Sequence, residues 1–394
     1  MQQHISAQSI MGDFADSTGL SDASREQRRY LWTDAFAVCN YLQLYTQTGE
    51  QSFLQLALDL VDQVHLTLGR QRKDSLRSGW LSGLDEDQAQ QHPTRGGLRI
   101  GKQLDERQID DPIDESLEWD RDGQYFHYLT KWMHALNRVS QVTGKSRYNR
   151  WALELAEVAH GAFTYIPSTY TSPIDGPRRM YWKMSIDLSR PLIPSMGQHD
   201  PLDGLLTYWQ LQATARYFSA LTPSEAVLDT EITELLAMCV GQSWASEDPL
   251  GIGGLLSDAC KLVQLIAVHQ LNETAMLEAL LHDIESSLQV FVRHNSLNLR
   301  AEYRLAFREL GLAIGLHAID RMQKQIEQLP ERFANAGQLL AVLARLSNFR
   351  HLHQTIENFW LETGHQAIKT WQEHADINNV MLATSLTPGG YLEL

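Results

Sequence analysis

The chain has 394 residues, of which 43% are hydrophobic, so it is long enough to bury a large core. Its 48 acidic and 33 basic residues give a formal net charge of −15, and no cluster of lysine and arginine resembles a phosphate-binding surface, which argues against nucleic acid as a partner. No window approaches the roughly 18 to 20 apolar residues of a membrane span, so we expect a soluble protein with no membrane contact.

The N-terminal segment is polar and lacks the basic flank and apolar stretch of a secretory signal. We therefore expect residues 1–23 to form a flexible arm and residues 24–394 to form a single domain. Cys39, Cys239 and Cys260 are far apart, and each lies in an apolar stretch, which favours buried reduced thiols over a disulfide. These features predict a cytoplasmic protein.

Two helical hairpins are predicted in the first half of the chain. Apolar residues recur at spacings of three and four over residues 29–49 and 52–68, which is the helical period, and the short turn between them requires antiparallel helices. The second hairpin spans residues 123–163. One constant shift of the sequence places the Thr48-Gly49 turn on Thr143-Gly144, which indicates a repeated unit.

The same helix-turn-helix pattern continues to residue 372, and strand signals are nearly absent. About six hairpins result, whose helices have lengths typical of globular proteins. The later hairpins are predicted at 203–242, 253–293, 302–325 and 331–372.

The connections between hairpins are much longer than the turns within them. Residues 69–117, 164–202 and 243–254 form loops that contain glycine and proline, and long loops in a compact domain usually carry function. Each loop leads into the N-terminal end of the first helix of a hairpin. If these first helices form an inner ring, the loops gather on one face, and we expect the functional site there.

Aromatic and acidic residues stand at the starts of these first helices, in YLWTDAF at 30–36, EWDRDGQYFHYLTKW at 118–132 and HDPLDGLLTYW at 199–209. Together with the hairpin count and the repeat, they make residues 24–372 resemble the six-hairpin (α/α)6 barrels shared by many glycoside hydrolases, polysaccharide lyases and N-acylglucosamine 2-epimerase-like enzymes. The resemblance implies an all-α (α/α)6 toroid with long loops on one face and a sugar site in its central cup. We expect a small-molecule or oligosaccharide substrate, and a homo-oligomer stays an open alternative.

Three acids precede the second hairpin at alternate positions: Glu118, Asp120 and Asp122. An extended approach to the helix would point them in the same direction, and crowding would raise the pKa of at least one. A carboxylic acid with a raised pKa is what general acid catalysis requires near neutral pH. Alternatively, Asp120 or Asp122 could cap the helix that begins near Gly123.

Other helix starts supply further catalytic candidates. Asp34 occupies the corresponding place in the first hairpin, and Asp203 opens the third, where either Asp200 or Asp203 is also a good N-cap. His127 and His199 stand beside acids and aromatic residues, so either could act as a base. The alternative for each histidine is a purely structural role.

The remaining candidates are aromatic and cationic side chains that could line a sugar site. Aromatic faces stack on the C–H faces of sugars, although Trp32 could equally pack in the core. Cations near the loop glycines could hold a substrate carboxylate or phosphate, or neutralise the neighbouring acids. The candidates for substrate binding are Trp32, Trp80, His92, Arg95, Arg99, Lys102, Tyr125, Tyr128, Lys131, Tyr181 and Trp182.

Motifs for other chemistries are absent. The sequence has no HExxH or CxxC spacing, no phosphate-binding loop, no dinucleotide fingerprint and no GxSxG, so we expect no metal and no cofactor.

The favoured activity is a glycoside hydrolase with a carboxylate acid and base roughly 6.5 to 9.5 Å apart in the central cup of the toroid. The main alternative is a sugar epimerase or isomerase that uses His127 and His199 from opposite sides of the ring. A non-catalytic helical binding protein is a third alternative, which the long and uneven loops disfavour.

Overall fold

The computed structural model of the chain describes residues 6–22, 24–112, 114–167, 178–219, 228–269 and 271–394. Over these ranges most residues are helical, and the strands have only two or three residues each. The fold class is therefore all-α, as predicted.

The helices are connected by turns of very different length. In chain order they are α1 (Ala7–Ser17), α2 (Leu31–Thr48), α3 (Gln51–Leu68), α4 (Glu86–Gln91), α5 (Glu115–Glu118), α6 (Phe126–Thr143), α7 (Arg147–Phe163), α8 (Asp200–Ser219), α9 (Asp229–Cys239), α10 (Pro249–His269), α11 (Thr274–His294), α12 (Ala306–Leu316), α13 (Ala318–Gln328), α14 (Ala336–Leu346), α15 (His351–Leu361), α16 (Thr363–Gln366), α17 (Lys369–Gln372), α18 (Ala375–Leu386) and α19 (Gly389–Leu392). Short 3-10 turns lie at Ser296–Asn298, Ala301–Tyr303, Pro330–Arg332 and Ser347–Phe349.

The strands form two small antiparallel sheets. They are β1 (Gln124–Tyr125), β2 (Thr164–Tyr165), β3 (Arg179–Met180), β4 (Lys183–Met184) and β5 (Pro191–Ile193). One sheet has the order β1-β4-β5, and the other pairs β2 with β3. Because β1 leads directly into α6, its pairing with β4 fixes the loop after α7 beside the start of α6.

The chain divides into two compact units. Unit 1 consists of Met1–Ala15, Thr46–Gly49 and Ser243–Leu394, and unit 2 consists of Asp16–Tyr45 and Glu50–Gln242. The expected single domain over residues 24–394 stays a prediction.

Unit 2 contains the hairpins of α6 with α7 and of α8 with α9, together with α3 and with α2 as far as Tyr45. Helices α2, α6 and α8 bury residues on nearly all sides, whereas α3 buries one face, including Phe53, Leu60 and Val64. The predicted repeat is visible in the turns, because Gly49 and Gly144 end α2 and α6 with positive φ angles of 75° and 69°. Glycine enters this left-handed region without steric cost, so it ends a helix well.

Unit 1 contains the α10–α11 and α12–α13 hairpins and the shorter helices that follow. Helix α10 is long and apolar enough to cross a membrane by length and composition, but 78% of its most apolar window is buried inside the protein. We expected no apolar segment long enough to span a membrane, and by length and composition α10 is such a segment. Its packing against α11, α12 and α13 is what a core helix of a globular protein requires.

Two expectations about the ends of the chain need correction. Residues 1–23 were expected to form a flexible arm, but residues 7–17 form α1, which buries Ile10, Met11 and Phe14 at helical spacing. Residues 1–5 and 23 lie outside the described residues. The last predicted hairpin, 331–372, consists of α14 and α15 followed by short turns, and the further helix α18 was not predicted.

The three cysteines are buried, as their apolar surroundings predicted.

Helices α10 and α12 approach each other through glycines. A Cβ atom on Gly253 would overlap the carbonyl oxygen of Gly311, and one on Gly315 would overlap backbone atoms of Gly253. The next residue, Gly254, has open space around its Cα. The close approach therefore depends on glycine at position 253 and not at position 254.

We expect Gly253→Ala to lower the free energy of unfolding by about 1 to 3 kcal/mol, because α10 and α12 would have to move apart. Gly254→Ala is the matched control and should be neutral or stabilising by up to about 1 kcal/mol, because alanine favours the helix. Urea unfolding of both variants checks this. Equal stability of the two variants would contradict the close packing.

Candidate active site

The carboxylate of Asp122 fastens the long loop between α3 and α6. It is completely buried and accepts hydrogen bonds from Arg99 Nη1 at 2.6 Å and Arg72 Nη1 at 3.2 Å. The backbone N–H groups of Gly101 and Gly123 donate to its other oxygen, each at 3.0 Å. Asp122 therefore does not cap α6, which begins at Phe126. The guanidinium of Arg99, a predicted substrate contact, forms an ion pair with Asp122.

Glu118 has a similar structural environment. It is buried, accepts a hydrogen bond from Arg107 Nε at 2.6 Å, and lies 3.6 Å from Lys183 Nζ. The expected extended approach is wrong, because Glu118 is the last residue of the short helix α5, whose first turn Asp114 caps. Glu118, Asp120 and Asp122 therefore do not point in one direction, and only Asp120 is exposed.

The predicted cations of the loop are also paired with carboxylates. His92 Nδ1 lies 2.6 Å from Glu154 Oε1 on α7, and Arg95 lies 3.9 Å from the same oxygen. Trp80 is buried in the loop, and its Nε1 donates to Glu86 at 3.0 Å. The contacts with Glu154 hold the loop between α3 and α6 against α7, and the Trp80 contact joins two parts of that loop.

Another group of predicted residues comes together where α2, α6 and α8 begin. We call it the aromatic cluster, and it consists of Trp32, Tyr125, His127, Tyr128 and Trp182. The His127 ring centroid lies 4.9 Å from that of Tyr128, 5.3 Å from Tyr125, 6.1 Å from Trp32 and 6.2 Å from Trp182. Helix starts that were predicted to share one face do meet here within unit 2.

His127 is the reactive group at the centre of the aromatic cluster. Its side chain is 26% exposed, so solvent reaches part of the ring. Burial, with a smaller contribution from the nearby Lys131 ammonium, lowers the pKa of His127 to about 4. The imidazole is therefore neutral at physiological pH and can accept a proton.

Asp200, the first residue of α8, lies next to His127. Its Oδ1 is 3.7 Å from His127 Nδ1, slightly beyond a direct hydrogen bond. Burial raises the pKa of Asp200 to about 7, with a smaller contribution from the Asp203 carboxylate. Asp200 is thus a carboxyl group that can hold a proton near neutral pH, which is the property expected above of the three acids before α6.

Lys131 and Asp203 form a buried ion pair behind these two residues. Lys131 Nζ lies 2.7 Å from Asp203 Oδ1, and Thr130 Oγ1 donates to the other carboxylate oxygen. Asp203 was predicted as a catalytic acid and Lys131 as a substrate contact. In the structure they contact each other, and their charges act on the pKa values of His127 and Asp200.

Several buried polar atoms of the site have no hydrogen-bond partner among the described residues. Buried polar groups in proteins are nearly always hydrogen-bonded, so four such atoms in one place indicate a site built for a polar ligand. They are Trp32 Nε1, Tyr125 Oη, His127 Nδ1 and Asp200 Oδ2.

Tyr30 and Lys102 extend the site toward the loop. Tyr30 Oη lies 2.6 Å from Tyr128 Oη, and Lys102 Nζ lies 5.4 Å from the centre of the Tyr30 ring. Burial raises the pKa of Tyr30 to about 12 and lowers the pKa of Lys102. The charge of Asp120 affects both groups, which places its exposed carboxylate near them.

Three predicted residues have other neighbours. Asp34 accepts a hydrogen bond from the Tyr30 backbone N–H at 2.9 Å and closes the first turn of α2. Tyr181 stacks on Tyr165 with ring centroids 4.1 Å apart. His199 directly precedes Asp200, so it lies near the start of α8.

Comparison with known proteins finds similar solved structures, among them two cellobiose 2-epimerases. No protein-family model and no curated protein matches the sequence. The chain is similar to the cellobiose 2-epimerase of Bacillus thermoamylovorans B4167, with 11% identity over 82% of this chain and 75% of that chain and a TM-score of 0.43. It is also similar to the cellobiose 2-epimerase of Spirochaeta thermophila DSM 6192, with 12% identity over 87% of this chain and 98% of that chain and a TM-score of 0.46.

The Asp122 contacts predict a large effect on stability. Asp122→Ala would leave two buried guanidinium groups, Arg72 and Arg99, without their shared carboxylate. We expect a loss of about 3 to 5 kcal/mol in the free energy of unfolding. Asp120→Ala, two residues away and exposed, should change it by less than about 0.5 kcal/mol. Chemical denaturation of both variants measures the difference, and a small effect at Asp122 would contradict the structural role.

The pKa values of His127 and Asp200 predict opposite dependences of stability on pH. The pKa of Asp200 is raised on folding, so its contribution to stability is complete below pH 4 and is lost as pH rises to about 7. The pKa of His127 is lowered, so its contribution is complete above its ordinary pKa near 6.5 and is lost as pH falls to about 4. Between pH 4 and 6.5 the two slopes oppose each other.

Single substitutions should therefore separate the contributions of Asp200 and His127 to the pH dependence of stability. Relative to the unsubstituted protein, Asp200→Asn should become more stable as pH rises from 4 to 7, by up to about 1.4 kcal/mol per pH unit. His127→Gln should show the opposite trend between pH 4 and 6.5. Urea unfolding across this range gives both differences. Trends of reversed sign would mean that the two residues form a charged ion pair.

Proposed function

We propose that the protein is a carbohydrate-active enzyme that transfers a proton at a sugar carbon, as an epimerase or isomerase, with His127 as the base. The observation that carries the proposal is the neutral, partly exposed imidazole of His127 within the aromatic cluster. A neutral imidazole accepts a proton, whereas an imidazolium cannot. A cytoplasmic location belongs to the same proposal.

The surroundings of His127 suit a sugar. Trp32, Tyr128 and Trp182 offer aromatic faces that can stack on the C–H faces of a pyranose or an open-chain sugar. Sugar hydroxyls both donate and accept hydrogen bonds, so they match a site that mixes the Trp32 Nε1 donor with the Asp200 Oδ2 acceptor. Burial raises the pKa of Tyr125, so its hydroxyl stays protonated and can donate.

The proposed step begins with a reducing sugar in its open-chain form. His127 removes the proton from the carbon next to the carbonyl, and the electron pair of that C–H bond forms an enediolate. Asp200 in its protonated form can donate to the oxygen on which negative charge develops. Return of the proton to the neighbouring carbon on the same face, with transfer of the hydroxyl proton of the second oxygen to the former carbonyl oxygen, gives the isomeric ketose. Return of a proton to the original carbon on the opposite face, with the carbonyl formed again, gives an epimer.

Inversion at the original carbon requires a second acid on the opposite face of the sugar. His199, which directly precedes Asp200, stays the expected source of this acid. His127 and Asp200 offer a base and an acid for transfer on one face.

A glycoside hydrolase stays the second candidate because of Asp200. A carboxyl group with a pKa of about 7 is a suitable general acid for a leaving sugar. The base would then be another carboxylate, and Asp120 is the exposed acid nearest to Tyr30 and Lys102 by its effect on their pKa values. Glu118, Asp122 and Asp203 are engaged in buried ion pairs.

Deuterium exchange distinguishes the two functions. The protein is incubated in D₂O with reducing mono- and disaccharides, including glucose, mannose, N-acetylglucosamine and cellobiose, and the products are analysed by NMR. We expect deuterium at the carbon next to the carbonyl in at least one sugar. His127→Gln should slow this exchange by at least about 100-fold, because general base catalysis contributes that much.

His282→Gln is the control, because His282 is exposed on α11 in unit 1, outside the site, and should exchange at the normal rate. Cleavage of a glycosidic bond without exchange, abolished by Asp200→Asn, would replace the epimerase or isomerase proposal with the hydrolase. Exchange that survives His127→Gln unchanged would contradict the role of His127.

A further inference from the structure

A second group of reactive side chains lies in unit 1, on α15 and at the junction of α12 and α13. His353 and Glu357 are four positions apart on α15, so they share one face of the helix. His317 occupies the single position between α12 and α13. None of these residues was a sequence candidate, because His317 and Glu357 are 40 positions apart and match no local metal-binding spacing.

The three side chains converge on one point. His317 Nε2 lies 2.8 Å from one oxygen of Glu357, and His353 Nδ1 lies 3.2 Å from the other. The two imidazole centroids are 4.0 Å apart, and one ligand atom from each of the three residues lies within 4.8 Å of the others. The ligand atoms of a tetrahedral zinc ion are about 3.3 Å apart, given bond lengths near 2.0 to 2.2 Å. The observed spacing needs only small side-chain movements to reach this geometry.

The chemistry of the donors favours a transition metal. Two imidazole nitrogens and one carboxylate oxygen are a ligand set that zinc and its neighbours prefer, whereas calcium and magnesium prefer oxygen alone. The side chains of His317, His353 and Glu357 are 24%, 18% and 11% exposed. The group is therefore partly buried but open enough for water to complete the coordination.

Contacts on both sides of the group hold its two segments in register. Toward the start of α15, Arg350 forms an ion pair with Asp320 on α13. Toward its end, Trp360 Nε1 donates to Glu309 on α12 at 2.8 Å. A metal site gains affinity when its ligands are already positioned, since less ordering accompanies binding. Here the ligands lie between two fixed contacts.

We propose that His317, His353 and Glu357 bind one zinc-class divalent transition metal ion, with water as a further ligand. The bound ion connects the α12–α13 junction to α15 and stabilises unit 1. All three ligands belong to unit 1, so this site is separate from the aromatic cluster and its test does not depend on the proposed sugar chemistry.

Zinc titration of the full chain tests the site. The protein is prepared without a polyhistidine tag, treated with a chelator and desalted, and zinc binding is measured by calorimetry. We expect one equivalent of zinc to bind tightly. His353→Ala and Glu357→Gln should each weaken binding by at least about 100-fold, because even residues that only support ligands contribute 10- to 100-fold. His351→Ala, an exposed histidine on the same helix, is the matched control and should bind normally.

Cobalt provides a readout that does not depend on stability. Addition of Co²⁺ should produce the visible absorption of a low-symmetry site with nitrogen and oxygen ligands, and this absorption should be missing in His353→Ala while circular dichroism shows that the variant is folded. An unsubstituted protein that binds zinc no better than His353→Ala would overturn the proposal. Equal losses in His351→Ala and His353→Ala would overturn it as well, because they would indicate scattered surface histidines.

Discussion

The position of the candidate site depends on the buried carboxylate of Asp122. A charge inside a protein is stable only when it is paired and hydrogen-bonded, and Asp122 has two guanidinium partners and two backbone N–H donors. Arg99 and Arg72 come from the loop after α3, so the carboxylate ties that loop to the residue four positions before α6. His127, the second residue of α6, is held in place by the same contacts. A second buried acid, Glu118, ties the loop to β4 through Lys183.

The chemistry of the site follows from how its charges are buried. Lys131 and Asp203 are paired, so their net effect on neighbours is small, and burial dominates the pKa values of both His127 and Asp200. Burial disfavours the charged form of each group, which leaves a neutral imidazole beside a carboxyl group that holds its proton. This pair can take a proton from carbon and give one to oxygen without creating a net charge in an apolar environment. An ion pair of the same two residues would exchange the roles, with the Asp200 carboxylate as the base and the His127 imidazolium as the acid.

Periodicity was sufficient to predict the fold class and the hairpins before residue 331, and the Thr48-Gly49 and Thr143-Gly144 turns were located correctly. The expectation that helix starts carry the site led to Trp32, Tyr125, His127, Tyr128 and Trp182, which the structure brings together. The roles of the acids could not be read from the sequence. Whether a carboxylate pairs with an arginine, as Glu118 and Asp122 do, or stays unpaired, as Asp200 does, depends on residues far away in the chain. The group of His317, His353 and Glu357 could not be predicted either, because its members are far apart in the sequence. The buried face of α1 was not predicted, because polar residues surround its apolar ones in the sequence.

The central claim is that His127 is uncharged at physiological pH. NMR of the protein labelled with ¹⁵N in its histidines, with the His127 signals assigned by their loss in His127→Gln, measures this directly as a function of pH. The structure predicts that His127 stays neutral from pH 8 to below pH 5 and titrates with a pKa of about 4. A pKa above about 7.5, one unit or more above the ordinary value for histidine, would show an imidazolium at physiological pH and would contradict the role of His127 as a base.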